Sequence, residues 1–577
     1  MITGSNAPKV LIVGAGPTGL TLGINLLRGG VPCRVIDKLP GRLPWSRALG
    51  LHARSQEIFD AMGVLEAVRG QARAFEAIHV YGDKGRDKGA LLSLPMDELP
   101  SPFPRLLCCP QPRIEAVLEE RFRSLGGELW WDTELLDFQQ DGSSVRATVL
   151  QRNGGVLQRN GGQQQRNEER QLETELLVGT DGAHSRVREL LGLPFEGNDY
   201  HERFLLADVD WSPDLENDAF HGFLLADGNL IAIPMPDDGW RLVVTEEPGD
   251  ENEEGEDNEQ DDEAEPDMAL FHERIREALG DQAPLPGEPR WLSRFTIQRR
   301  LVSHYRRNRI LLAGDACHVQ SPLGAQGMNT GIADAFNLAW KLVLFCRGHG
   351  GGALLDSYQR ERRPVAEDML RGVDALSRAS FVRAKVLRGA RDSLLRLAGN
   401  RPQLGRRLVR RASQLDVHYR HSPLVDAGPD ADLGWRHQGP LPGDRVPDAR
   451  LQSQRDGSPR RVQALLRQPV HHLLLQLGGE PDHRARVILH ALLSRLPDEY
   501  LNELRVTVIS RDGFELDRSD TGAGRAHLWR DHDGEFEQAF GTGSRLWLMR
   551  PDGHLGYRAP LTDADYLFAY LERLFHH

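Results

Sequence analysis

The chain has 577 residues, of which 40% are hydrophobic and 27% charged, the balance of a globular protein and not of a disordered one. At roughly 150 residues per domain this length suggests two to four domains, with a core large enough to need neither disulfides nor a structural metal. The net charge of −13 says little about partners, because 14 acids and no Lys or Arg fall between Glu246 and Asp267, and the rest of the chain is nearly neutral.

Cysteine usage points to a reducing compartment. There are five, Cys33, Cys108, Cys109, Cys317 and Cys346, with no CxxC pair, which argues against a disulfide framework or a thiolate zinc site. The opening MITGSNAPKV lacks a basic segment followed by an apolar one, and no apolar run approaches the ~20 residues that span a bilayer. A soluble, cytoplasmic protein is expected.

In chain order, Lys9–Val13 reads as an apolar strand, Pro17–Leu27 as a helix and Arg34–Asp37 as a second strand, a β-α-β opening that implies a parallel sheet. Arg113–Leu125 has helical periodicity, with Ile114, Val117, Leu118 and Phe122 on one face; Glu128–Leu136 and Val145–Leu150 read as strands. The duplicated QRNGG at 151–155 and 158–162 reads as a polar hairpin tip or loop. Phe204–Trp211, Ala219–Leu225, Leu230–Pro234 and Trp240–Glu246 suggest an inserted antiparallel sheet, followed by the acidic run 246–267 as a disordered, solvated insertion.

Arg309–Ala313 reads as a buried strand, followed by a glycine-rich turn and a helix from about Ile332 to Cys346. Leu354–Ala412 is helical and rich in arginine (Arg378, Arg383, Arg388, Arg391, Arg396, Arg410, Arg411). With few aromatics for base stacking, these arginines are expected on a solvated helix face and not on nucleic acid. A boundary is expected near Ser422–Gly443. Beyond it, strands at His472–Leu475, Arg505–Ile509 and Arg545–Met549 alternate with helices at Ala485–Arg495 and Asp563–Phe575, a smaller α/β domain.

Three segments carry chemistry. Gly14-Ala15-Gly16-Pro17-Thr18-Gly19 follows an apolar strand and opens a helix, and Asp37 ends the next strand. In that setting Gly14 permits the tight turn, Gly16 lets the backbone approach a pyrophosphate, and Gly19 permits close helix–strand packing. Asp37 would accept from a ribose hydroxyl. Leu176–Arg188 is an apolar strand ending in Asp181-Gly182, then Ser185-x-x-Arg188. Leu311–His318 is an apolar strand ending in Gly314-Asp315, followed by Pro322 and Gly324-Ala325-Gln326-Gly327-Met328-Asn329.

In this order the three segments resemble the class A flavoprotein monooxygenases, the aromatic-hydroxylase family that includes phenol and polyketide hydroxylases. The resemblance covers about residues 8–370; more weakly, Pro442–Asp448 and Arg550–His554 look like the family's appended thioredoxin-like domain. It implies an α/β fold: a Rossmann-type FAD-binding domain with an inserted antiparallel-sheet substrate domain, plus a C-terminal thioredoxin-like α/β domain. The divisions expected are 1–195 (FAD-binding, with a substrate-domain segment near 75–110), 196–300 (substrate), 301–420 (FAD-binding and helical) and 421–577 (thioredoxin-like). That last domain has no cysteine and so no dithiol chemistry.

By motif position the resemblance assigns FAD to Gly14, Gly16, Pro17, Thr18, Gly19, Asp37, Lys38, Arg47, Gln111, Asp181, Asp315, Gly327, Met328 and Asn329. Pro322 and His52 are assigned to the substrate side, no catalytic base is named, and no metal is expected. A helix beginning near Thr330 would point its positive end at the flavin ring. The activity implied is hydroxylation of a phenolic or polycyclic aromatic by O2, with NAD(P)H as reductant and a flavin C4a-hydroperoxide as oxidant. Phe223, Ile233 and Trp240 are expected to roof the pocket. A homodimer is left open, and neither nucleic acid nor membrane is expected as a partner. A flavin oxidase or reductase, or a non-catalytic FAD-binding regulator, remain the alternative readings.

Overall fold

The computed structural model describes residues 8–575 except 46–47, 84, 87–88, 153–155, 160–161, 166, 227, 247–266, 321–323, 381–384, 429–438, 480–482 and 512–524. Arg47, Pro322 and nearly all of the acidic run therefore lie outside the described residues, as does part of the QRNGG duplication. The helices, in chain order, are α1 (Pro17–Arg28), α2 (Ala53–Met62), α3 (Leu65–Arg69), α4 (Gln111–Ser124), α5 (Arg186–Leu190), α6 (Ala269–Leu279), α7 (Gly327–Cys346), α8 (Gly351–Ser380), α9 (Lys385–Gly399), α10 (Pro402–Ala412), α11 (His483–Arg495), α12 (Glu535–Phe540) and α13 (Ala564–Phe575). Among the described residues, no helix is long and apolar enough to cross a membrane.

The three motifs meet because their strands are neighbours. A six-stranded sheet runs Arg306–Arg307, Ile310–Leu312, Leu176–Gly179, Val10–Val13, Cys33–Ile36, Glu128–Trp130, parallel throughout except for the first, edge pairing. Its central strands are apolar on both faces, as a sheet covered by helices on either side requires. Helix α1 packs between this sheet and α4 and α7, with Gly23 against Phe122 and Gly29 against Val343.

The inserted sheet has eight strands, ordered His318–Val319, Trp291–Val302, Phe195–Val209, Trp240–Glu246, Asn229–Pro234, Ala219–Leu224, Ala77–Tyr81, Leu92–Pro95. It is antiparallel except where Ala219–Leu224 runs parallel to Ala77–Tyr81. The two strands from 77–95 come from the early part of the chain, so the insert is built from separate stretches of sequence. One face packs under α6, through Phe271 and Ile275; the other packs toward Leu49, Phe75, Leu106 and Cys108 and beneath α9 and α10.

The C-terminal part is a seven-stranded sheet. Within it Leu504–Ser510, His471–Leu477, Arg545–Met549 and Leu555–Pro560 lie side by side in that order. The first two are parallel and joined through α11; the last two are antiparallel, and α13 follows them. That second-first-third-fourth order is thioredoxin-like.

Several sequence expectations shift. Glu128–Leu136 is two strands, Glu128–Trp130 and Thr133–Gln140, in different sheets, split where Asp132 takes a positive φ of 53°. The stretch Leu354–Ala412 is the greater part of three helices, α8 to α10. Helix α7 begins at Gly327, five residues before the expected start; the low helix propensity of its first-turn glycine hid the turn. Phe223 and Trp240 do not roof the cleft: both are buried on the α6 face, and Ile233 alone of the three faces the other way.

Candidate active site

Backbone geometry explains the glycines of the first motif. Gly14 has a φ of 109°, and a Cβ there would overlap the carbonyl of Thr180; a Cβ on Gly19 would overlap the Gly14 carbonyl. Gly16 has no atom of the protein within 4 Å of where its Cβ would be. The loop is thus packed tight on two sides and open at the one point where a pyrophosphate would meet the amino end of α1. Thr180 Oγ1 bonds to the carbonyls of Val13 and Gly14, both at 2.9 Å, tying the second motif under the first.

Asp37 turns its carboxylate back across the loop, accepting from the Ala15 amide at 2.8 Å and the Leu39 amide at 2.9 Å, and is half-buried; Lys38 beside it is exposed. Gln111 opens α4 and donates to Glu115 at 2.7 Å. Burial pushes the Glu115 carboxyl up to about 7. Asp181 accepts from Ser185 Oγ at 2.6 Å and from the Val187 amide at 3.1 Å, so its carboxylate steadies the start of α5. Burial raises its carboxyl also.

Asp315 is solvent-exposed although its neighbours Ala313, Gly314, Ala316 and Cys317 are buried, and the protein wall around it raises its carboxyl. Its loop touches the first motif, since a Cβ on Gly314 would press on Thr18, as would one on Gly331. Gly327 begins α7 with open space beside it, and Met328 is half-buried. Asn329 is fully buried: its side chain donates to the Gly50 carbonyl at 2.8 Å and the Ala325 carbonyl at 2.6 Å and accepts from the His52 amide at 2.9 Å. The His52 ring is buried too, 2.9 Å from the Gly324 carbonyl. Burial lowers its pKa, so the ring helps hold the 324–329 loop in its neutral form.

Sequence reasoning missed the supports behind this loop. Gln326 donates to the Ala412 carbonyl at 2.8 Å and accepts from Gln414 at 2.9 Å. Asp334 on α7, fully buried, accepts from His318 Nε2 at 2.7 Å, Arg362 Nε at 2.6 Å and the Gly314 amide at 3.2 Å. Arg362 in turn reaches Tyr419 at 3.0 Å. The Arg362 and His318 charges hold the Asp334 carboxyl below its usual range against the opposing effect of burial. Asp334 lies five residues past Asn329, where the third motif ends, and Arg362, Tyr419 and Gln414 lie farther from any motif.

The face of the inserted sheet opposite α6 is apolar, with Ile78, Phe220 and Ile233 on it and Phe75 and Met235 packed in the same cluster. One polar point interrupts it: Arg241, buried and bidentate to Asp208 at 2.7 Å for both bonds, shares the cross-strand row of Ile233.

A dinucleotide-type sheet with an open glycine loop, a carboxylate at the third strand end, an α7 amino end facing the same cleft and an apolar sheet beyond it defines a flavin-binding oxidoreductase with an inserted substrate sheet. The residues fit FAD: the unfilled space at Gly16 and Gly327 and the exposed Asp315 are what an elongated, anionic, flat-headed ligand needs. The FAD binding domain family matches residues 7–373, and the chain belongs to it. It is 31% identical over 570 residues to pentachlorophenol 4-monooxygenase of Sphingobium chlorophenolicum, covering 97% of this chain and 95% of that one. It is 32% identical over 582 residues to 6-methylpretetramide 4-monooxygenase of Streptomyces rimosus, covering 99% and 94%. Among solved structures it resembles OxyS, the anhydrotetracycline hydroxylase of Streptomyces rimosus, with a TM-score of 0.71, 27% identity and 99% of both chains covered. The protein is an FAD-dependent aromatic monooxygenase, and these relatives do not favour the oxidase, reductase or regulator readings.

Proposed function

We propose that this chain hydroxylates a phenolic or polycyclic aromatic compound with O2, using NADH or NADPH as reductant, in the cytoplasm. The observation that carries the reading is the apolar face of the inserted sheet, where Ile78, Phe220 and Ile233 pack with Phe75 and Met235 into one cluster, which offers a flat hydrophobic substrate a wall of matching character. The names of the relatives, which give pentachlorophenol and 6-methylpretetramide as their substrates, support a ring-bearing substrate of this kind.

In this reading the amino end of α1 and the Gly14–Gly19 loop hold the pyrophosphate, Asp37 takes the ribose hydroxyls, and Asp315 takes the ribityl side. Lys38, Gln111 and Asp181 complete the cofactor set, with Arg47 from outside the described residues. Bound FAD supplies the oxygen-activating redox chemistry. The protein's part is positional: the first-turn amides of α7 favour negative charge near the ring, and the apolar sheet excludes water from the reacting pair. Asn329 and His52 fix the loop that carries those amides, and Pro322 would lie beside the substrate.

The chain divides, on this proposal, into FAD-binding portions at 1–195 and 301–420, a substrate portion at 196–300 with the early 75–110 segment, and the thioredoxin-like portion at 421–577. A homodimer is compatible with it. The deciding experiment is a screen of phenols and polycyclic aromatics for accelerated NAD(P)H consumption, with products checked by mass for one added oxygen atom. Acceleration with hydroxylated product supports the proposal; FAD retention with no stimulated turnover across the panel would overturn it.

A further inference from the structure

Helix α9 is inside-out. Its protein-facing side carries Arg388 and Arg391, which pair with Asp83, while Arg391 also meets Asp392 and both arginines reach the carbonyls of Ala226 and Leu224. Its outer side carries Val386, Leu387, Leu394 and Leu397, between 50% and 84% exposed. On α10, which packs against α9, Val409 is buried while Leu404 and Leu408 are 41% and 44% exposed. Six of the ten exposed large hydrophobics among the described residues thus fall between 386 and 408. The spacing 387, 394, 397 and then 404, 408 keeps them on one stripe of each helix. The expected solvated arginine face holds for Arg396, Arg410 and Arg411, which are exposed, but Arg388 and Arg391 turn inward while Leu387, Leu394 and Leu397 turn outward and Leu395 packs against the core; the Arg378 and Arg383 side chains lie outside the described residues.

Charge then distinguishes the occupants of this surface. Arg396, Arg401, Arg407 and Arg411 are exposed, and no carboxylate among the described residues pairs with any of them. A symmetric second copy on the same patch would press these arginines against their own counterparts. Protein interfaces also favour aromatic anchors at their centre, and none of the six exposed residues is aromatic. An aliphatic stripe edged by unpaired arginines matches the boundary of an anionic bilayer, where leucines enter the acyl region and guanidinium groups meet phosphates. The chain's overall negative charge does not oppose this at short range, because charges farther off than about 10 Å are screened.

We propose that the α9–α10 face docks the protein reversibly on an anionic lipid surface. This departs from the expectation of no membrane partner, which rested on the absence of a spanning segment; lying on a membrane needs none. The test is co-sedimentation of the FAD-loaded full chain with vesicles of phosphatidylcholine alone or mixed with phosphatidylglycerol, at low and high salt. Roughly tenfold or greater preference for the phosphatidylglycerol vesicles is expected, weakening with salt. The R396Q/R401Q/R407Q/R411Q variant should lose that preference, and L394E/L397E should lose binding while keeping its flavin absorbance and circular dichroism spectrum. If L394E/L397E does not fold, L404Q/L408Q on α10 serves in its place. Equal sedimentation with both vesicle types, no sedimentation with either, or a concentration-dependent dimer abolished by the same leucine variants would each overturn the proposal, the last by making a second copy the occupant.

Discussion

Gly14 and Gly16 look alike in the sequence and differ in what surrounds them. Gly14→Ala places a methyl against the Thr180 carbonyl at a φ of 109° and should sharply reduce the yield of folded protein. Gly16→Ala meets no protein atom and has an ordinary φ of −71°, so the FAD-free protein should melt within a degree or two of wild type, while FAD affinity falls at least about tenfold. Thermal melts and flavin titrations of the two variants separate the fold from the ligand. Glu115 gives a second residue-scale prediction. Its carboxyl titrates near 7 in the folded protein because it is buried, against an ordinary 4.5, so the folded state holds its proton longer. The protonated form carries no penalty at low pH, and ionising the buried group costs stability as pH rises from about 4.5 through about 7. Glu115→Gln should therefore gain on wild type above neutral pH, by at most about 3 kcal/mol, and show little gain at pH 4. Denaturant titrations at both pH values check the sign.

At the scale of elements, α7 and α8 are locked together by Asp334 and Arg362, and the same carboxylate holds the Gly314 turn. Asp334→Asn keeps the shape but leaves Arg362 buried opposite a neutral amide, at a cost of about 3 kcal/mol in chemical denaturation, with weaker FAD retention as the turn relaxes. This hub shows where sequence reading succeeds and stops. The strands Val10–Val13, Leu176–Gly179 and Ile310–Leu312 were legible because each is apolar and ends in a glycine turn that only a few conformations can make. The pairing of Asp334 with a helix 28 residues away has no such local signature. Nor does the inserted sheet reveal which of its faces meets the cleft. Both are covered, so alternation cannot tell Phe223 from Phe220, and only the register and α6 decide. The start of α7 was obscured because glycine and asparagine read as loop residues, yet here their small size and amides are what the cleft uses.

At the scale of the whole molecule, the thioredoxin-like part is joined to the FAD-binding part by buried charges. Glu57 is held between Arg54 and Arg445, and their charges keep its carboxyl low although burial raises it. Glu361 lies between Lys341 and Arg550, with ion pairs at 2.7 Å to each, and Asp552 bonds to Asn337 at 2.9 Å. A seam of this kind adds little net stability, but separating its halves takes Arg445 from Glu57 and splits Glu361 from Arg550, at the cost of buried charge pairing. Calorimetry should therefore show one cooperative unfolding transition, and Arg445→Met should lower its midpoint by several degrees. Two resolved transitions would contradict the coupling.

The same seam has a bearing on biosynthesis. During synthesis Glu57 and Glu361 emerge with Arg54 and Lys341 beside them but ahead of their second partners, Arg445 and Arg550. The full seam therefore closes only after the thioredoxin-like part has been made, which places the docking of the two parts late in the order of folding.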